Sequence, residues 1–565
     1  MSLAPKPDQI RRCRIENASQ GSRVTIRILF LFLSCLPAWV ATAGDVSRYL
    51  PSTGLRPINA ERLPAPNWAP DLMLEAAEGF KIGKEGPEVV RSFVIPVENL
   101  PGAVYIEAIQ LTPAASGVVT HAVVRLDTTL DSRKADEKDP GVGFADHPQY
   151  SGVRRPTSLV AAWTPFAPVV SAPSAVWRMV PDSDLVVTCV IKPNGKEAEV
   201  RPKVSLWLAP QPTDSHLLTL RMANEAIDIQ PGSEDISARD AFRLPVPAKI
   251  LALYADANHA ARAIRFDLTG PFTEKGEPVA ERLFEIADWE AGLQEWYRFE
   301  KPVEVTEGSR LDLQIRYANP KGDKPIRWGP RPEDERGELY VLLSVENDRD
   351  MYELMKLASV HQLALTIEGA EAKGADDLFS HVQLAKLYAD SGQVETAVAH
   401  GLKAVSLDGA SAEARAALGA AYVTQNHDFS AQEQLEQAIK LNPDLADAHY
   451  NLGNVFLRYG VLEKAFNAYE KAAQLDPRDV RFANNLGHLM MQRDRNKDAE
   501  VIFHRVIERN PYHAPATANL ARIKELNGDR AGALVLYKRA VTLAPAMGPT
   551  LQPLINRAEE SLKKK

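Results

Sequence analysis

YNLGNVFLRYGVLEKAFNAYEKAAQLDP, residues Tyr450–Pro477, decides the fold of the C-terminal third. Its Leu452-Gly453 step recurs 34 residues earlier as Leu418-Gly419 and 34 residues later as Leu486-Gly487. Pro443, Pro477, Pro511 and Pro545 keep the same interval. A fixed period of this length, with two helical halves in each unit, is a stacking repeat whose neighbours bury one another. Five units are expected, beginning near Leu378, Ala412, Ala446, Val480 and Ala514 and together covering 378–547. The seventh place is apolar throughout (Leu384, Leu418, Leu452, Leu486, Leu520), and alanine holds the twentieth (Ala397, Ala431, Ala465, Ala499, Ala533). Residues 548–565 are apolar on one side and charged on the other, as expected of a capping helix.

These repeated positions resemble the tetratricopeptide repeat. The resemblance implies a concave face lined by Tyr450, Asn454, Leu457 and Arg458 in one unit, Asn484, His488, Met491 and Gln492 in the next, then Arg522. Amide, guanidinium and aromatic groups of this kind suit an extended peptide, so a protein or peptide partner is expected. Solvated helix residues account for the same list. Asn451, Asn485 and Asn519 recur before the small-residue step, where helix packing explains them as readily as ligand contact.

The chain has 565 residues, room for about three or four domains. A net charge of −8 argues against nucleic acid, whose phosphates need a basic face. Arg23 and Arg27 precede the apolar run Ile28–Val40 and then Ala41-Thr42-Ala43. This reads as an export signal within 1–43, cut before Gly44, giving a periplasmic or extracellular protein. The polar Met1–Ser22 is unusual for a signal, and translation is expected to start later, near Val24. The apolar run is too short for a good spanning helix, so no transmembrane segment is expected after cleavage. The mature chain then keeps one cysteine, Cys189, and its stability rests on packing rather than a disulfide.

Residues 44–88 read as an irregular lead-in, and from Val89 to about Val345 the signal is β. In Arg310–Tyr317, Leu311, Leu313, Ile315 and Tyr317 alternate with polar residues, the period of a strand with one buried face. So many short strands fit two antiparallel β-sandwiches, 89–210 and 211–348, with a break near Pro210–Asp214. A linking helix is expected in 349–377. The fold class is therefore multidomain β plus α: two antiparallel sandwiches, which a family resemblance makes jelly-roll-like, followed by an α-helical tetratricopeptide solenoid.

Several stretches of 66–348 resemble the copper type II, ascorbate-dependent monooxygenases. Val118-Val119-Thr120-His121-Ala122 is similar to that family's His-His strand, Thr188–Gly195 to a strand ending in a Pro-x-Gly turn, and Leu253–Arg262 to its His-x-His strand. The stretch from Trp289 through Glu338-Leu339 is similar to the one that ends in the methionine ligand. The resemblance implies six ligand places, of which only His121 and His259 hold a ligand. Thr120, Val190 or Lys192, Ala257 and Leu339 stand at the others. A lone imidazole does not hold copper against competitors, so no cofactor is expected and copper is the exception to test. His121 in an apolar strand is more often a core residue, and His259 after Asn258 suits a turn equally well. Trp163, Trp177, Trp207, Trp289 and Trp296 are expected in cores.

The expectation is an exported binding scaffold with no catalytic residues. The alternative is a copper monooxygenase with replacement ligands such as His147 or His216. A third reading places a small molecule in a cleft between the sandwiches.

Overall fold

The computed structural model describes residues 55–57 and 69–563, except 98–99, 101, 114–116, 129–130, 146–158, 164–168, 172–176, 182, 210–214, 271–279, 291–292, 295, 330–333, 373 and 375. The expected export signal, Cys13, Cys35, His147 and the break at 210–214 lie outside these residues.

The N-terminal part is β-rich and the C-terminal part a helical array. Among the described residues, two pairs of larger antiparallel sheets, with two small two-stranded ones beside them, make up the β region. In the first pair, one sheet runs in the order Val89–Pro96, Asp184–Ile191, Val119–Asp127, Leu159–Trp163. Its companion runs Leu72–Glu75, Lys203–Leu208, Val104–Thr112, Val169–Ser171, with Trp177–Met179 also beside Val104–Thr112. A short helix, α1 (Asp131–Lys138), lies against the first sheet.

The second pair has a five-stranded sheet in the order Leu55–Pro57, Trp296–Val305, Ala248–Asp256, Glu338–Val345, His216–Ala223. Its companion is Ser233–Arg243, Arg310–Asn319, Ala261–Thr269, Ala280–Ile286. Leu311, Leu313, Ile315 and Tyr317 are all buried in its core, as the alternation of Arg310–Tyr317 demands. The five tryptophans expected in cores are buried as well.

Three stretches differ from the sequence reading. The lead-in is not wholly irregular: Leu72–Glu75 and Phe80–Ile82 are strands of the first half, and Leu55–Pro57 crosses over to edge the second half's five-stranded sheet. Strands this short carry too little alternation to stand out in a Pro- and Gly-rich stretch. Among the described residues, two central strands of the β region are also covered on both sides. Asp184–Ile191 and Glu338–Val345 are buried at every position, the pattern of strands covered on both faces. Tyr254, Trp296, Tyr340 and Leu342 of the second half belong to the same core as Phe93, Val124 and Val187 of the first.

Helix α2 (Asp348–Ala372) leaves the last strand and returns onto the second half, where Met351, Leu354 and Ala358 close its core. His361 Nε2 sits 3.0 Å from Asp240 Oδ2 at that contact. The array follows as α3 (Leu378–Asp390), α4 (Val394–Leu407), α5 (Ala412–Thr424), α6 (Asp428–Leu441), α7 (Ala446–Arg458), α8 (Leu462–Leu475), α9 (Val480–Gln492), α10 (Asn496–Arg509), α11 (Ala514–Leu526) and α12 (Arg530–Leu543), then α13 (Gly548–Lys563). Each odd-numbered helix of the five units starts at the residue where the period placed it.

The repeated small residues have a steric cause. A Cβ on Gly453 would lie 2.6 Å from the Tyr469 ring, and the five alanines at the twentieth place are fully buried between helices. The turn between the helices of each unit passes through positive φ at the fifteenth place: Gly392, Asn426, Gly460, Asp494 and Gly528. That left-handed residue ends the first helix and frees the chain to reverse.

The array is fastened to the β region through the turn after α10. Arg178 of the strand Trp177–Met179 donates to the carbonyls of Glu508 and Arg509, satisfying acceptors at the negative end of α10. Tyr512 packs on the second core and meets His216 edge-on, ring centroids 6.1 Å apart.

Candidate functional site

The two histidines implied as residual copper ligands have different surroundings. His121 extends from Val119–Asp127 across to the second half, where its Nε2 lies 2.5 Å from the Tyr254 hydroxyl and the rings are stacked. Trp296 and Tyr340 flank Tyr254. Burial pushes the His121 imidazole down to about 4, so the ring is neutral and shares a single hydrogen bond with the tyrosine hydroxyl. His259 is exposed in the turn after Ala248–Asp256, and its carbonyl accepts from Arg262. That turn is held by Glu335, whose buried carboxylate accepts from the backbone N–H groups of Asn258, Ala260 and Ala261.

Ala257 and Leu339, at two other ligand places, are fully buried in the second core. Among the described residues no three His, Cys, Asp or Glu side chains converge on one point. Among the described residues, neither His121 nor His259 is joined by two further such donors. His216 is turned to Tyr512, as described above.

Buried charges surround the contact between the two halves. Arg221 bridges Glu225 at 2.8 Å and Glu338 at 2.6 Å, and the Tyr340 hydroxyl donates to Glu338 at 2.5 Å. Burial works against the Arg221 cation, yet Glu338 and Glu225 hold it firmly protonated. The Arg221–Glu338 bond links the neighbouring strands His216–Ala223 and Glu338–Val345.

In the array, the expected concave residues are largely engaged with one another. Asn454 Oδ1 accepts from the Tyr469 hydroxyl at 2.7 Å and from Asn485 at 3.1 Å. Asn519 donates to Asn484 at 3.2 Å, and Asn484 to Asn485 at 3.0 Å, so a row of amides crosses three units. Arg458 donates to Asn426 at 2.7 Å and pairs with Asp428 of the preceding unit. Tyr450 packs against Tyr469 and Phe482. His488 lies 3.2 Å from Gln492, and burial together with Arg522 lowers its imidazole. Gln492 and Arg522 are exposed.

The sequence reading missed the charged group beside this row. Lys386 of α3 and Arg481 of α9 both bond Asp447 of α7, the latter at 2.8 Å, while Arg481 also meets Asp479 at 2.6 Å and Asp390 at 3.7 Å. Burial alone would raise the Asp447 carboxyl, but Lys386 and Arg481 hold it well below the usual range. Asp447 and Arg481 share the second place of their units, a register that was available to find them.

Family models agree with the repeat reading: one described as TPR repeat matches residues 430–460, and one described as Tetratricopeptide repeat matches 446–479. The C-terminal region thus carries tetratricopeptide repeats. No curated protein matches the chain. Among solved structures, the chain is similar to YrrB, described as a TPR protein with an unusual peptide-binding site, at 24% identity over 36% of this chain and 99% of that one, TM-score 0.24. It is also similar to TTC0263, a thermophilic TPR protein of Thermus thermophilus, at 16% identity over 32% and 98%, TM-score 0.28. PilF of Pseudomonas aeruginosa matches at 21% identity over 33% and 90%, TM-score 0.26. Among the described residues no helix is long and apolar enough to cross a membrane.

Proposed function

We propose that this is an exported scaffold protein whose tetratricopeptide array holds an extended peptide segment of a partner, on a non-catalytic, jelly-roll-like β mount. Tetratricopeptide repeats imply a protein or peptide partner. The observation that carries the peptide reading is the amide row Asn454–Asn485–Asn484–Asn519. Each primary amide has two N–H donors and two lone pairs, so the capacity left over after the bonds within the row matches the alternating C=O and N–H groups of an extended backbone. Gln492 and Arg522 lie exposed beside it, available to side-chain carboxylates.

Capture of partners from the native host, followed by mass spectrometry, tests this reading. Gln492→Ala with Arg522→Ala should weaken capture at unchanged stability. Arg458→Ala with Asn454→Ala is a poorer probe, because both side chains also tie neighbouring helices together. Capture unaffected by either pair would refute the groove. A copper monooxygenase is the alternative, and near-stoichiometric copper with ascorbate-dependent oxygen uptake would replace the scaffold reading with it.

A further inference from the structure

Helix α3 carries two sets of polar groups. On one side His381 Nε2 lies 2.8 Å from Asp376, and His381 Nδ1 lies 2.8 Å from Nδ1 of His400 on α4. On the other, Lys386 and Asp390 reach past α5 to Asp447 and Arg481, two and three units away. Such a span is feasible because α5 presents Ala416 and Ala420 where α7 presents Tyr450 and Asn454.

The histidine contact counts protons. With Nε2–H given to Asp376, a neutral His381 offers a bare Nδ1, and His400 donates into it. One added proton can go to the free Nε2 of His400, leaving a single N–H between the two Nδ1 nitrogens. A second places an N–H on both, and no hydrogen bond can then join them. The charged groups facing the pair are Asp376, Lys403 paired to Asp376, and Glu371 of α2 facing Lys403; the His400 ring also stacks on Tyr388. Burial and the neighbouring His381 both lower the His400 imidazole.

We propose that α3 is a proton-gated strap across the array: a second proton on the His381–His400 pair loosens α3 from α4 and with it releases the Lys386 and Asp390 bridges to Asp447 and Arg481. This rests on the peptide reading only for its consequence, which is easier access to the groove in acid.

The test is hydrogen exchange of the whole chain, without any peptide, corrected for intrinsic rates, between about pH 7.5 and about pH 5. Residues 378–407 of the wild type should lose about tenfold protection. The first turns of α7 and α9 should loosen in step. His400→Gln, which keeps a bonding partner for His381 but does not titrate, should abolish the change. Lys386→Ala with Asp390→Ala should loosen α7 and α9 already at neutral pH. His513, which faces Asp479 and Arg481, is lowered to about 4 and stays neutral over this window. Should the glutamine variant fail to fold, NMR titration of the wild type must show the two imidazoles titrating in separate steps. A wild type indifferent to pH, equal pH dependence in His400→Gln, a single shared titration step, or loosening of α3 with α7 and α9 unchanged would each overturn the strap. Partner capture plays no part, so failure here and failure of the peptide reading remain separate results.

Discussion

The imidazole of His121 and the phenol of Tyr254 share one hydrogen bond, 2.5 Å long, across the contact between the two halves of the β region. The residues are 133 apart in the chain. His121 is thus a fastening between two sheets, and its ring nitrogen is occupied by protein.

Removing the hydroxyl tests this directly. Tyr254→Phe keeps the ring packed on Trp296 and Tyr340 but strands a buried imidazole nitrogen. The expected loss is about 1–2 kcal/mol in urea unfolding of the β region. A variant as stable as the wild type would show that the contact contributes nothing.

Acid should weaken the same contact. The His121 imidazole titrates near 4 when folded against an ordinary value of 6.5, so the unfolded chain binds the proton first. The full stability is present above about pH 6.5, and about 3 kcal/mol of it is lost as pH falls toward 4. In His121→Phe that part of the pH dependence should vanish, as thermal melts at several pH values would reveal.

The bridge from Lys386 to Asp447 and Arg481 should show strong coupling. Asp447→Ala leaves two cations facing one another without their shared carboxylate, at an expected cost of about 2 kcal/mol. In a double-mutant cycle with Lys386→Ala the losses should add to less than their sum. Strict additivity would mean that the two side chains do not interact in solution.

Among the turn residues, Asp494 is a non-glycine at φ 56°, where Gly460 and Gly528 stand one unit away on either side. Asp494→Gly should stabilise the array by about 0.5–1 kcal/mol by relieving the left-handed backbone. Gly460→Ala should cost a similar amount, both read as shifts in the melting midpoint.

The repeat was legible because its causes are local. The Leu452-Gly453 step and the alanine at Ala465 answer to packed neighbours, and the turn at Gly460 to its own left-handed backbone, and these causes recur with the period. Alternation likewise revealed Arg310–Asn319, since one face of that strand is buried. Alternation is silent for Glu338–Val345, which is covered on both faces. The chain path alone brought His121 to Tyr254, Arg178 to the end of α10, and Lys386 to Asp447. Those pairs lie 133, 330 and 61 residues apart, and no periodicity constrains a contact whose two ends sit in different structural units. The sequence by itself determined the number, phase and helical form of the repeats; only the tertiary structure decided which of their polar side chains fasten the protein to itself and which stay exposed, because those contacts join residues far apart in the chain.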